Sequence, residues 1–140
     1  MKRYKLTLIF ILAAFLIVAC VAVAWYCTPK TFLGGVCADD IIEIKVFDGS
    51  AGKSFVINDT KDIEYVVENV QSCTLRRDGI SSGYDGFGFS LSFITVQGEV
   101  ADTFIINSDD TVRDDPFFYK SESGKLCYAY LRALEEKISE

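Results

Sequence analysis

The stretch FGFSLSFITVQGEVADTFIIN, residues 87–107, decides the fold class of this chain. Between Phe87 and Val96, large apolar residues alternate with smaller ones, a period of two that is typical of a β-strand with one buried face. Gln97-Gly98 follows as a turn, and the β pattern resumes over Val100–Asn107. Strands joined by so short a turn pair as an antiparallel hairpin. The stretch therefore predicts an antiparallel sheet.

The first strand of this hairpin has two chemically different faces. The period of two places Phe87, Phe89, Leu91 and Phe93 on one face, and Gly88, Ser90, Ser92 and Ile94 on the other. We expect the aromatic face to form the core, because only that face has enough apolar volume to meet the helices. The opposite face is nearly smooth, and the neighbouring strand adds Ala101 and Thr103 to it.

The segments on either side of the hairpin predict further strands and two helices. Before it come strands near 41–46, 54–57 and 73–77, a helix over 60–71 capped by Asp59, and a glycine-rich loop over 79–86. After it come short strands at 111–113 and 117–120 and a second helix near 124–137. The prediction is an α+β domain over residues 41–140, in the order β-β-α-β-β-β-(β)-α. Its antiparallel sheet has about five to six strands, with both helices on one face.

The N-terminal segment predicts a membrane helix. Residues 6–26 are apolar apart from Thr7 and are long enough to span about 30 Å of hydrocarbon. Residues 1–5 carry three basic side chains and form a cytoplasmic tail, because positive charge is retained inside. Residues 27–40 contain Pro29, Gly34 and Gly35 and are interpreted as a linker. The domain then lies outside the cell membrane, with the N-terminus inside.

Three interpretations of this segment remain open. It is an uncleaved anchor, or a lipoprotein signal in which Cys20 of Ile17-Val18-Ala19-Cys20 is lipidated, or a secretory signal cleaved after Ala22-Val23-Ala24. Six apolar residues and another cysteine follow Cys20, where a mature lipoprotein normally turns polar. All three alternatives place the domain outside the cytoplasm.

Cysteines outside the membrane segment are Cys27, Cys37, Cys73 and Cys127. Cys73 shares strand parity with Leu75, and Cys127 lies on the apolar stripe of the second helix, so we expect both in the core. A disulfide between Cys73 and Cys127 is one alternative; two buried free thiols are the other, because a free cysteine packs as a small apolar residue.

Composition excludes several kinds of chemistry. The chain has no histidine, which removes Ser-His-Asp and Cys-His catalysis and His-ligated metal sites. All 20 acidic residues follow the apolar segment, and an acidic domain repels nucleic acid. Asp109, Asp110 and Asp114 are weak candidates for a cation site, but aspartates in such runs more often shape turns. We predict no cofactor and no metal site.

A contact surface is the best candidate for a functional site. We expect the small-residue face of the sheet, with Ser90, Ser92 and Thr103, to accept another chain closely. Tyr84, in the glycine-rich loop, would stand at one end of it. The alternative is a plain solvated sheet face beside a flexible loop.

A family resemblance indicates where in the cell the domain lies. The run Ile105–Thr111 and the run Asp115–Tyr119, with Asp48-Gly49-Ser50 and the Leu131–Glu135 helix, resemble small membrane-anchored or lipoprotein domains of uncharacterised function in Firmicutes, clostridia especially. The similarity covers about residues 41–138. It implies a bacterial, extracytoplasmic protein and carries no activity or catalytic residue with it.

These observations predict a membrane-tethered, non-catalytic binding module for an envelope protein or peptide. The first alternative is a structural or assembly subunit of a membrane complex that associates through residues 6–26. The second alternative is a hydrolase that uses paired carboxylates such as Asp78 and Asp85.

Overall fold

The computed structural model describes residues 2–139. Of the predicted cytoplasmic tail, Met1 and the side chains of Lys2 and Arg3 lie outside the described part. The elements are α1 (Lys2–Cys27), a 3-10 turn (Ala38–Asp40), β1 (Ile41–Asp48), β2 (Lys53–Ile57), α2 (Thr60–Ser72), β3 (Thr74–Ile80), β4 (Phe89–Thr95), β5 (Val100–Ile106), β6 (Thr111–Asp114), β7 (Phe117–Ser123) and α3 (Tyr128–Ser139).

The strands form one antiparallel sheet in the order β2-β1-β4-β5-β6-β7-β3. The α+β class and the antiparallel hairpin are confirmed. The sheet has seven strands across residues 2–139, against the five to six expected. The difference arises because β6 and β7 both pair fully on either side of Pro116, and β7 also pairs along β3.

The core lies between the aromatic face of the sheet and helices α2 and α3. Phe89, Leu91 and Phe93 are buried, and Val66 of α2 and Leu131 of α3 are buried against the same cluster. Asp59 caps α2 as predicted, since its carboxylate accepts hydrogen bonds from the backbone N–H groups of residues 61 and 62 at 2.9 and 3.3 Å. The amphipathic pattern of both helices was therefore a sound guide to the buried face.

Two details of the prediction differ from the structure. Phe87 is 67% exposed, because β4 begins at Phe89 and the preceding residues still belong to the loop. Helix α3 begins four residues later than expected, since Gly124 has a positive φ and the N–H of Leu126 bonds to the carbonyl of Asp109.

Residues 27–40 pack as part of the domain, which differs from the predicted linker. Phe32 and Leu33 are buried, and the Phe32 ring lies 4.9 Å from that of Phe104 and 5.3 Å from that of Tyr119. The side-chain amide of Gln71 donates to the carbonyls of Leu33 and Val36, both at 2.8 Å. Gly34 and Gly35 suggested a linker, but in the structure they form a turn directly after the buried Phe32 and Leu33.

Candidate contact surface

The face of the sheet opposite the helices carries the predicted contact residues. Ser92 of β4 pairs with Thr103 of β5, and the Thr103 hydroxyl donates to the Ser92 hydroxyl at 3.2 Å. Ser90 lies two residues before Ser92 on the same face and pairs with Ile105. The structure therefore brings Ser90, Ser92 and Thr103 together, as the period of two predicted. We call this side of the sheet the open face.

Two shallow depressions of the open face meet at Ser90. The first has a volume of about 240 Å³ and reaches across β5 and β6 to Thr103, Arg113 and Asp114. The second has a volume of about 250 Å³ and reaches across β1 and β2 to Phe47 and Val56. Phe47 and Val56 are 47% and 42% exposed. The open face therefore combines small hydroxyl side chains at its centre with apolar side chains at one margin.

Tyr84 is held in place at the other margin. The Ser81 hydroxyl donates to the Asp115 carboxylate at 2.6 Å, and the Arg113 guanidinium donates to the Tyr84 carbonyl at 2.7 Å. The Tyr84 ring packs edge-on against Phe118 with centroids 5.0 Å apart, and the side chain is still about half exposed. The loop that carries Tyr84 is thus attached to β6 and β7 at several points.

An ion pair supports this attachment. Arg113 donates to Asp115 through two nitrogens, at 2.8 and 3.0 Å, which is the bidentate geometry that favours strong pairing. The guanidinium of Arg113 and the hydroxyl of Ser81 hold the pKa of Asp115 below its ordinary value. Hydrogen bonding to Asp115 in turn raises the pKa of Arg113. Both groups therefore stay charged at neutral pH.

The weak cation candidates bond to separate partners. Asp110 accepts from the hydroxyls of Thr111 and Ser108 at 2.7 and 2.8 Å, and these bonds lower its pKa. Asp109 pairs with Lys125 at 3.3 Å, and Asp114 pairs with Lys30. No cluster of three or more acidic or cysteine side chains suited to a metal ion occurs within residues 2–139.

The remaining candidates are dispersed. Cys73 and Cys127 are buried as expected and are free thiols, with no bridge between them. Burial raises the pKa of Cys73 and raises that of Cys127 to about 12, so both thiols are protonated at neutral pH.

Cys20 is exposed on α1. Asp78 and Asp85 line neither depression of the open face.

Sequence reasoning missed a polar network under α3. Arg132 donates to the fully buried Asp48 at 2.5 Å, to Glu135 at 2.9 Å and to the Tyr128 hydroxyl at 3.2 Å. Its guanidinium lies 4.6 Å from the centre of the Phe89 ring. The network ties α3 to the end of β1. The spacing of Arg132 and Glu135 on one helix signals their pairing, but nothing local connects either to Asp48.

Comparison of the chain with family models, with curated proteins and with solved structures finds no match.

Proposed function

We propose that this chain is a membrane-tethered extracytoplasmic binding module whose open face contacts a protein or peptide of the cell envelope. The observation that carries the proposal is the asymmetry of the sheet. Both long helices of the domain cover one face, while the other presents Ser90, Ser92 and Thr103 between the apolar margin at Phe47 and the attached Tyr84. Small side chains let a partner approach closely, and an ordered aromatic residue provides an anchor for it.

The charge and hydropathy of the chain support its placement. Helix α1 contains the segment Tyr4–Cys27, which has 24 residues and is long and apolar enough to cross a bilayer. Basic residues precede it and all the acidic residues follow it, which favours a cytoplasmic N-terminus. The resemblance to bacterial extracytoplasmic domains supports the same placement. We propose the uncleaved anchor over cleavage or lipidation at Cys20.

Site-specific photo-cross-linking in native membranes tests the contact surface. A photoreactive residue at Ser92 of the full chain should give an adduct of defined mass, and Ser90→Arg in the same chain should abolish that adduct. The matched control is a photoreactive residue at Glu64, which is exposed on α2 on the far side of the domain. We expect no adduct from Glu64.

A third position separates the two classes of function. Phe15 is 74% exposed on α1 and points toward lipid or toward a neighbouring membrane helix. Adducts that form at Phe15 and not at Ser92 would favour the assembly subunit. Adducts at Ser92 that resist Ser90→Arg would reject the open face as the contact surface.

Protease accessibility tests the placement independently. Protease added to intact spheroplasts should digest residues 28–140 and leave the N-terminal helix. Full protection of the domain until the membrane is permeabilised would place it on the cytoplasmic side and reject this topology.

A further inference from the structure

The C-terminal end of α1 is fastened to β3 by two arginines. Arg77 donates to the carbonyls of Trp25, Tyr26 and Thr28 at 2.8, 3.4 and 3.3 Å, and Arg76 donates to the carbonyl of Cys27 at 2.6 Å. The last carbonyls of a helix have no partner within it, and a cation there is favoured by the helix dipole. The two guanidinium groups therefore cap α1 from within the folded domain.

Aromatic contacts reinforce this fastening. The Arg77 guanidinium lies 4.0 Å from the centre of the Trp25 ring. Trp25 and Tyr26 both pack edge-on against Phe117, each with ring centroids 6.0 Å apart. The N–H of Lys30 then bonds to the carbonyl of Leu75 at 2.8 Å, and the chain continues into the buried Phe32. Contacts with the domain thus begin within the last turn of α1.

The direction of the chain shows which end of the sheet meets α1. The bridge between Lys30 and Leu75 is antiparallel, so residues 25–30 run against β3 and α1 arrives at the end of the strand where Ile80 lies. Ile80 pairs with Phe117 and is 73% exposed. At 1.5 Å per residue, Tyr4–Cys27 is about 36 Å long, slightly more than a hydrocarbon core of about 30 Å. Trp25, near the end of this helix, then lies at the membrane–water interface.

We propose that the corner of the sheet formed by the end of β3 at Ile80 and the start of β7 at Phe117 is seated in the interfacial layer of the outer leaflet, so that the lipid surface is a binding partner of the domain itself. This proposal rests on the proposed membrane anchor. Exposed Ile80, together with Phe117, Trp25 and Tyr26, forms one apolar patch at the exit of the helix. The guanidinium groups of Arg76 and Arg77 lie beside this patch and bind the last carbonyls of α1, and Arg76 also pairs with Glu122 at 2.9 Å. Phe87 precedes β4, and the register from β4 to β7 places it toward the end of these strands that lies opposite Phe117.

Tryptophan quenching in proteoliposomes tests this seating, because Trp25 is the only tryptophan in the chain. The full chain is reconstituted in phosphatidylcholine vesicles whose acyl chains are brominated near the headgroup. In a Trp25→Phe background, Ile80→Trp and Phe117→Trp each report on the proposed seat, and Phe87→Trp is the control at an exposed aromatic residue away from that seat. We expect quenching several-fold stronger at positions 80 and 117 than at position 87.

The outcomes separate this inference from the proposed function. Quenching of native Trp25 together with quenching at Ile80→Trp no stronger than at Phe87→Trp would overturn the seating and leave the anchor standing. Unquenched Trp25 would instead reject the anchor, and the seating with it. A cooperative thermal transition verifies that each variant folds; if Ile80→Trp does not fold, the comparison of Phe117→Trp with Phe87→Trp decides.

Discussion

The side chains of strand β4 lie on two faces of the sheet, the buried core face and the open face. Phe89, Leu91 and Phe93 alternate with Ser90 and Ser92 along five residues, and the first set is wholly buried while the second lines the open depressions. The core face is constrained by both helices, so each side chain there must fit its neighbours. Ser90 and Ser92 are only partly buried and line open depressions, so no such fit is required of them. The contrast shows that the side chains at the centre of the open face are free of the packing constraints that act on the core face.

The largest expected effect comes from charge on the core face. Leu131→Asp should unfold the domain, because a buried unpaired carboxylate costs several kcal/mol, comparable with a domain stability of about 5–15 kcal/mol. Leu131 is wholly buried on α3, whereas Ala133 is exposed on the same helix. Thermal unfolding followed by circular dichroism should show no native transition for Leu131→Asp and a nearly normal one for Ala133→Asp. A normal transition in both would contradict the observed packing of α3.

The next effect concerns the charged network of Asp48, Arg132 and Glu135 under α3. Asp48→Asn keeps an acceptor for the N–H of Ser50, at 2.7 Å, but removes the charge that faces Arg132. Hydrogen bonds to charged groups contribute about 1.5–3 kcal/mol, and we expect a loss in that range. Urea denaturation at neutral pH measures it, and Asp39→Asn, at an exposed site, is the matched control.

The same variant should alter the pH dependence of stability. Burial by itself raises the pKa of Asp48, but hydrogen bonds from Ser50, Arg132 and Ala51 outweigh it and hold the pKa below its ordinary value of 3.8. A lowered folded-state pKa contributes stability above the unfolded pKa, and that contribution is lost as the pH falls through the folded value. The stability difference between the native chain and Asp48→Asn should therefore be constant above about pH 4 and shrink below it. A difference that grows on acidification would show the opposite sign of shift.

A smaller effect is expected at the margin of the open face. Tyr84→Ala removes the edge-on contact with Phe118 and should cost about 0.5–1.5 kcal/mol. Tyr84→Phe keeps the ring and should leave the free energy of unfolding unchanged, since the bond from Arg113 reaches the Tyr84 carbonyl. Equal stability of all three proteins would show that the ring contact does not hold the loop.

The smallest effect is expected at the centre of the open face. Ser92→Arg should change the free energy of unfolding by no more than about 0.5 kcal/mol, because the new side chain extends into solvent. Leu91→Arg, one residue away and wholly buried, should abolish folding. Measured in parallel, this pair tests the two faces directly, and a strongly destabilised Ser92→Arg would show that the open face is covered.

Patterns within single elements were predictable from sequence. The period of two in β4 and the helical spacing of Val66 and Val70 report burial because each element presents one side to the core. The grouping of Ser90, Ser92 and Thr103 followed from the same period and a short hairpin turn. Phe87 was misassigned because periodicity does not mark where a strand begins.

The amino-acid sequence by itself determined the apolar N-terminal helix, the antiparallel α+β class and which side chains of β4 are buried. These follow from local spacing and from the free energy of removing apolar surface from water. The tertiary structure alone decided that Arg132 meets Asp48, that Arg76 and Arg77 cap α1, and that Phe32 fills the edge of the core. Each of these contacts joins residues that are tens of positions apart, so no local pattern encodes them; they form only once the sheet order brings the elements together.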